Sequence, residues 1–252
     1  MDAFTGQHIW IIGASTGIGA ATARELTKEG AILALSARSA DKLSALQEEL
    51  GSQHQVFPVD VADTAAMSST VSEITQKFPR IDRIIYLAAI YDPMPLGALD
   101  LTKTRALIET NLFGAFNLIH AVLPILRAQK GGQLALCGSV AGYRGLPNGQ
   151  PYSATKAAII NLAESLRVEE APHNIDIRLI NPGFVRTPMT AVNTFPMPMI
   201  MEPEDAAKAL VEGLASSSFE ISFPKKFTAI MKVLRLLPDF IFFKLARHIG
   251  KS

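Results

Sequence analysis

The chain has 252 residues, a formal net charge of +1, and a hydrophobic share of 48%. That is length enough for one large α/β domain with a substantial core. Charges of both signs are mixed, with no basic stripe interleaved with aromatics, which excludes a global field for nucleic acid.

The N-terminus carries neither the basic segment nor the long apolar run of a signal peptide. No stretch reads as uninterrupted and apolar enough to span a bilayer. His8–Ile12 is a short apolar run with β-branched members, suited to a buried strand. Gly13-Ala14-Ser15-Thr16-Gly17-Ile18-Gly19 follows, and then a helical pattern from Ala20 to Glu29. Strand, glycine turn and helix form the context of a dinucleotide site, where free N–H groups at the helix start face a pyrophosphate.

The second strand, Ala31–Ser36, ends in Ala37-Arg38. An acid there would bond ribose hydroxyls. Arg38 instead offers a planar cation that suits a 2′-phosphate. Further strands are expected at 55–60, 83–88, 133–137, 176–181 and 219–223, after those at 7–12 and 31–36. Between them lie helical stretches with one apolar face, such as Leu43, Leu46 and Leu50, or Met67, Val71 and Ile74. This alternation predicts a parallel sheet covered on both sides, with the site beyond the carboxyl ends of its strands.

Cys137 falls in the fifth strand and reads as a small apolar filler. As the single cysteine it allows no intrachain disulfide, which fits a reducing cytoplasm. The five histidines lack ligand spacing, so no metal site is expected. Downstream, Tyr152-Ser153-Ala154-Thr155-Lys156 puts a phenol and an ammonium one helical turn apart. A cation beside a tyrosine favours the phenolate and lowers its pKa, which suits a general acid or base.

Taken with Asn111, Ser139, Asp60-Val61 and Asn181-Pro182-Gly183, these motifs resemble the short-chain dehydrogenase/reductase family from about residue 5 to about 223. The resemblance implies a Rossmann-type, doubly wound parallel sheet of about seven strands. It implies an oxidoreductase that moves a hydride between a nicotinamide and a carbonyl or secondary alcohol. Tyr152 would then exchange the proton, Lys156 would lower the tyrosine's pKa and hold the nicotinamide ribose, and Ser139 would polarise the substrate oxygen. Asn111 would hold a water that links Lys156 to solvent. Cofactor contacts would fall on Gly13, Ser15, Thr16, Gly17, Ile18, Gly19, Arg38, Asp60, Val61, Ala88, Ala89, Asn111, Tyr152, Lys156, Pro182, Gly183, Val185 and Thr187. Arg38 makes NADP(H) the expected cofactor, ahead of NAD(H). The alternatives are a non-catalytic NADP(H)-binding sensor or scaffold and a nucleotide-fold methyltransferase.

The chain also departs from that family. Ile12 stands where a threonine is common, and Tyr86-Leu87-Ala88-Ala89 replaces Asn-Asn-Ala-Gly. Ala89 adds a methyl group where backbone should approach a ligand.

By this reading residues 1–223 form the catalytic domain, with an apolar substrate lid at 184–201. The lid holds Phe184, Val185, Met189, Val192, Phe195, Met197, Met199, Ile200 and Met201, with Arg186 its only charge. It suggests a bulky apolar carbonyl or alcohol. The family also implies a homodimer or homotetramer through the helices that carry Asn111 and Tyr152. Residues 224–252 form a basic amphipathic helical extension, expected to pack on the same domain, with peripheral membrane contact as the alternative. Pro238 divides it. In its second half Phe242, Leu245, Ala246 and Ile249 are expected on one face, and Lys244, Arg247 and His248 on another.

Overall fold

The computed structural model describes residues 3–249, with side chains through Ala246. Seven parallel strands form one sheet in the order β3-β2-β1-β4-β5-β6-β7. They are β1 (His8–Ile12), β2 (Ile32–Ser36), β3 (Gln55–Val56), β4 (Arg83–Tyr86), β5 (Gly132–Cys137), β6 (Ile175–Pro182) and β7 (Glu220–Phe223). The strand order reverses at β1, so the crevice between the ends of β1 and β4 is the topological switch point. β3 and β4 are shorter than the sequence suggests. Past Val56 the chain still donates to the end of β2 from Phe57 and to Ala37 from Val59, and past Tyr86 Leu87 donates to Ile12, before both segments line that crevice.

Successive strand residues point to opposite faces, and the burial follows this closely. Trp10, Ile12, Ile84, Leu134 and Leu136 enter one core, beneath α3 (Thr64–Lys77), α5 (Gly114–Ala128) and α6 (Tyr152–Glu169). Ile9, Ile11, Ile85, Ala135 and Ile180 enter the other, beneath α1 (Gly17–Lys28), α2 (Ala40–Leu50) and α7 (Pro203–Ala215). Each fully buried large apolar side chain contributes about 1.5–3 kcal/mol. Trp10 keeps its polar handle satisfied by donating from Nε1 to Ser36 Oγ at 2.8 Å.

α4 (Leu101–Ile108) runs into α5 through one wide π-helical turn, Glu109–Phe113. Contrary to the sequence reading, the continuous helix over 101–128 is long and apolar enough to cross a bilayer by length and composition alone. Here it covers the sheet instead, burying Leu107, Ala115, Leu118, Val122 and Leu126. Two helices follow β7, α8 (Lys225–Leu236) and α9 (Asp239–Ile249), broken at Pro238 as expected. α8 packs on the first core through Phe227 and Met231. α9 buries Phe242 and Ala246, but Leu245, expected beside them, is exposed. The side chains of Arg247, His248 and Ile249 lie outside the described residues.

Candidate active site

The glycine turn is closed by backbone contacts. Gly13 has φ +96°, and a Cβ there would lie 2.7 Å from the Ala88 nitrogen. A Cβ on Gly19 would lie 2.0 Å from the Gly13 carbonyl oxygen, so the first turn of α1 can sit on the turn only without a side chain. Gly13 and Ala14 both donate to the Ser36 carbonyl, at 2.7 and 3.0 Å. No side chain caps the start of α1 at Thr16, so its N–H groups stay open to a ligand.

Those N–H groups border a cavity of about 310 Å³ at the carboxyl ends of the strands. Its walls include Gly13, Ser15, Thr16, Gly17, Ile18, Gly19, Arg38, Asp60, Val61, Ala88, Ala89, Ser139, Tyr152, Lys156, Pro182, Gly183, Val185 and Thr187. Every site residue singled out from sequence therefore meets here, except Asn111. The Ala89 methyl does not close the crevice, since Ala88 and Ala89 both line it. Arg38 is exposed on the rim, and among the described residues no acid pairs with it.

Tyr152 opens α6, and Lys156 follows one turn later, buried. Sequence spacing aims the ammonium at the phenol, but Lys156 Nζ donates to the Cys137 carbonyl at 2.7 Å and lies 5.6 Å from the centre of the tyrosine ring. The expected lowering of the phenol is accordingly not seen. Burial pushes Tyr152 above the ordinary phenol range and nearby Cys137 adds to this, while a hydrogen bond with Ser139 opposes it. Burial also drives Lys156 below its ordinary value. Ser139 has two tasks, because its Oγ also accepts from the Ala141 N–H at 3.1 Å and caps the short turn over 140–142. Burial raises the Cys137 thiol, which suits the filler role expected of it.

Asn111 sits in the π-helical turn, 1% exposed. Its Oδ1 accepts from the Ile90 N–H at 2.8 Å, and its Nδ2 donates to the Ile90 carbonyl at 2.9 Å and to Thr155 Oγ1 at 3.3 Å. The side chain is thus a clamp between the chain after β4 and α6. Both atoms of its amide are engaged by protein partners. Such turns leave backbone groups out of helical register, and Tyr86 answers one of them by donating from its hydroxyl to the Thr110 carbonyl at 3.1 Å. The aromatic that replaces the family's asparagine has room because a Cβ on Gly114 would meet Tyr86 Oη at 2.6 Å.

Sequence reasoning missed Tyr91. Its ring meets Tyr152 edge to face, with centroids 4.8 Å apart, and its hydroxyl donates to Asn193 Oδ1 at 2.8 Å. An aromatic five residues past the end of β4 was the only available signal. The lid also divides its side chains differently from the expectation. Val185, Thr187, Pro188, Met189 and Thr190 face the cavity. Phe184 stacks on Phe195 and on Phe227 of α8, with centroids 6.0 and 5.4 Å apart.

A switch-point cleft with an open helix start and a Ser–Tyr–Lys cluster defines a nucleotide-dependent enzyme of the doubly wound class. The chain belongs to the short-chain dehydrogenase family, whose model matches residues 7–195, and it is an oxidoreductase. It is 31% identical over 242 residues to an uncharacterized oxidoreductase of Myxococcus xanthus, covering 95% of this chain and 96% of that one. An uncharacterized oxidoreductase of Mycobacterium tuberculosis is 36% identical over 216 residues, or 83% of this chain and 85% of its own. Among solved structures, a short chain dehydrogenase from Burkholderia cenocepacia in complex with NADP superposes with a TM-score of 0.85. It is 25% identical and covers 97% of this chain and 99% of that one.

Proposed function

We propose that the protein is an NADP(H)-dependent carbonyl reductase or alcohol dehydrogenase acting on a bulky apolar substrate. The observation that carries this reading is the meeting of Ser139, Tyr152 and Lys156 with the glycine turn in one cleft. The residues present fit the cofactor. Gly13 and Gly19 let the turn close tightly under the start of α1, that start offers uncapped N–H groups, and Arg38 is an exposed cation with no acid paired to it among the described residues. The Burkholderia relative, crystallised with NADP, supports the same choice.

The turn over 13–19 would hold the pyrophosphate, and Arg38 a 2′-phosphate on the adenosine side. When bound, the nicotinamide supplies or accepts the hydride. Ser139 Oγ orients the substrate oxygen. Tyr152 Oη gives that oxygen a proton in reduction and takes one in oxidation. The phenol is protonated at neutrality, the state from which it can donate. Lys156 Nζ lies beside the phenol ring, buried, where it can steady charge as the proton moves. Asn111 acts as a positioning residue by fixing Ile90 against α6. Met189 and Val185 give the cavity apolar walls, and the Tyr91 ring packs on Tyr152.

A homodimer or homotetramer through the helix over 101–128 and α6 belongs to the same reading. Phe113 and Phe116, about half exposed, are side chains such a contact would cover. A cytoplasmic setting fits the single buried free thiol.

The test is NADPH oxidation, with NADH in parallel, across aldehydes and ketones of increasing chain length and ring count. Turnover with NADPH that rises with substrate bulk supports the reading. Tight NADPH binding without turnover on any carbonyl would point to a sensor instead.

A further inference from the structure

We propose that the outer face of the C-terminal helix pair docks on an anionic lipid bilayer. Among the described residues, seven of the fifteen exposed large apolar side chains lie between positions 230 and 245. α9 is apolar on both sides. Its inner side buries Phe242 and Ala246, while Phe240 (76% exposed) and Phe243 (56%) point outward. An apolar outer side on a helix whose inner side already packs on the protein is a surface that calls for a cover of its own. Leu236, at the end of α8, is 82% exposed and extends the same surface.

The exposed charge around this patch is mostly positive. Lys225, Lys226 and Arg235 are exposed, and the two acids of the segment are each paired, Asp239 at the surface. Glu220 accepts Lys232 at 2.7 Å and also binds Tyr143 and Asn181, and Asp239 is held by Arg144. A second copy of the chain meeting this face about a two-fold axis would set one mostly positive patch against another. An anionic headgroup layer meets apolar residues with its acyl boundary and cations with its phosphates, the usual pattern of an interfacial helix.

The surface is also fixed in place. Arg144 donates to the Arg235 and Leu237 carbonyls at 3.0 and 2.9 Å and lies 4.1 Å over the Phe242 ring, which holds the joint between the helices. The inner side of α8 is joined to the lid by Phe227, which packs on Phe184, and Phe184 in turn meets Phe195. Docking of the outer side would therefore hold the element that backs the lid against the lipid. This inference does not depend on the proposed catalytic roles.

The test uses the full chain, sedimented with vesicles of phosphatidylcholine alone or mixed with phosphatidylserine. Two double variants accompany it, Phe240→Ser with Phe243→Ser and Lys225→Glu with Lys226→Glu. Thermal melts confirm their folding. NADPH turnover in solution is measured in parallel, so that failure of the enzymatic reading is seen separately. The expected result is binding to the mixed vesicles, weakened by salt, and about tenfold or more weaker in either variant. If the serine variant unfolds, the charge reversal carries the test, since both lysines are exposed. Absence of binding to either vesicle overturns the proposal. So does a drop in sedimentation coefficient of the serine variant without vesicle binding, which would make this face a contact between protein chains.

Discussion

The cleft and the C-terminal helix pair are built by opposite means. In the cleft, backbone meets backbone so closely that single residue types are dictated, as at Gly19 against the Gly13 carbonyl. In the helix pair, side chains decide everything. One arginine holds the joint, and most of the apolar surface of α9 is left uncovered. A site made from backbone contacts tolerates few sequences and leaves a spaced motif. A surface made from side chains tolerates many and leaves only a composition. Perturbing the two regions should therefore give separable effects, chemistry and cofactor choice in one, local stability in the other.

The largest expected effect is that of Tyr152→Phe. Removing a general acid costs about 10²–10⁴-fold in turnover, while the fold and NADPH binding should persist. Stopped assays with fluorescence titration of the cofactor check both at once. Retained turnover would take the phenol out of the mechanism and break the contrast at its strongest point.

Arg38→Asp comes next. A charge-assisted contact contributes about 1.5–3 kcal/mol, so the preference for NADPH over NADH should fall by about 10–100-fold. The apparent KM for each cofactor measures this. An unchanged ratio would return Arg38 to the role of a solvated loop residue.

Arg144→Ala probes the other region. It removes two donors to the end of α8, the pairing with Asp239 and the cation over Phe242. The loss should be about 1–3 kcal/mol, read as faster amide exchange confined to α8 and α9. Cofactor affinity should hold. If exchange quickened across the glycine turn as well, the two regions would be one cooperative unit.

What the sequence made legible follows the same division. The sheet, its two covered faces and the cleft followed from period-two strands, helical stripes and glycine spacing. Leu43, Leu46, Met67, Val71 and Ile74 are buried as their spacing demands. The π-helical turn around Asn111 was not legible, because a helix one residue wider leaves the apolar pattern on either side intact. Nor was the direction of the Lys156 ammonium, since i,i+4 spacing fixes a shared face but not which acceptor a four-carbon stem selects. Leu245 was misassigned for a related reason. In a helix with apolar side chains on both sides, periodicity cannot say which of them is in.

The smallest expected effect lies in the cofactor half, at His54, which is fully buried. Its Nδ1 accepts the Leu33 N–H at 3.1 Å, a role open only to the neutral ring. Burial accordingly holds its pKa below the ordinary value of 6.5. The unfolded chain binds a proton at this residue before the folded one does. Stability is therefore complete above about pH 6.5 and falls as the pH drops from there through the folded-state value. The measurement is Tm against pH, with a small decrease expected across that window. The carboxylates held down by their partners, Glu170, Asp176 and Glu220, titrate lower and act in a later window. His54→Gln should remove the first fall and leave the second. The loss should appear as exchange in β2 and the start of β3, with α8 and α9 unaffected, because no described contact of His54 reaches them. A fall that survived in the variant would assign the titration elsewhere.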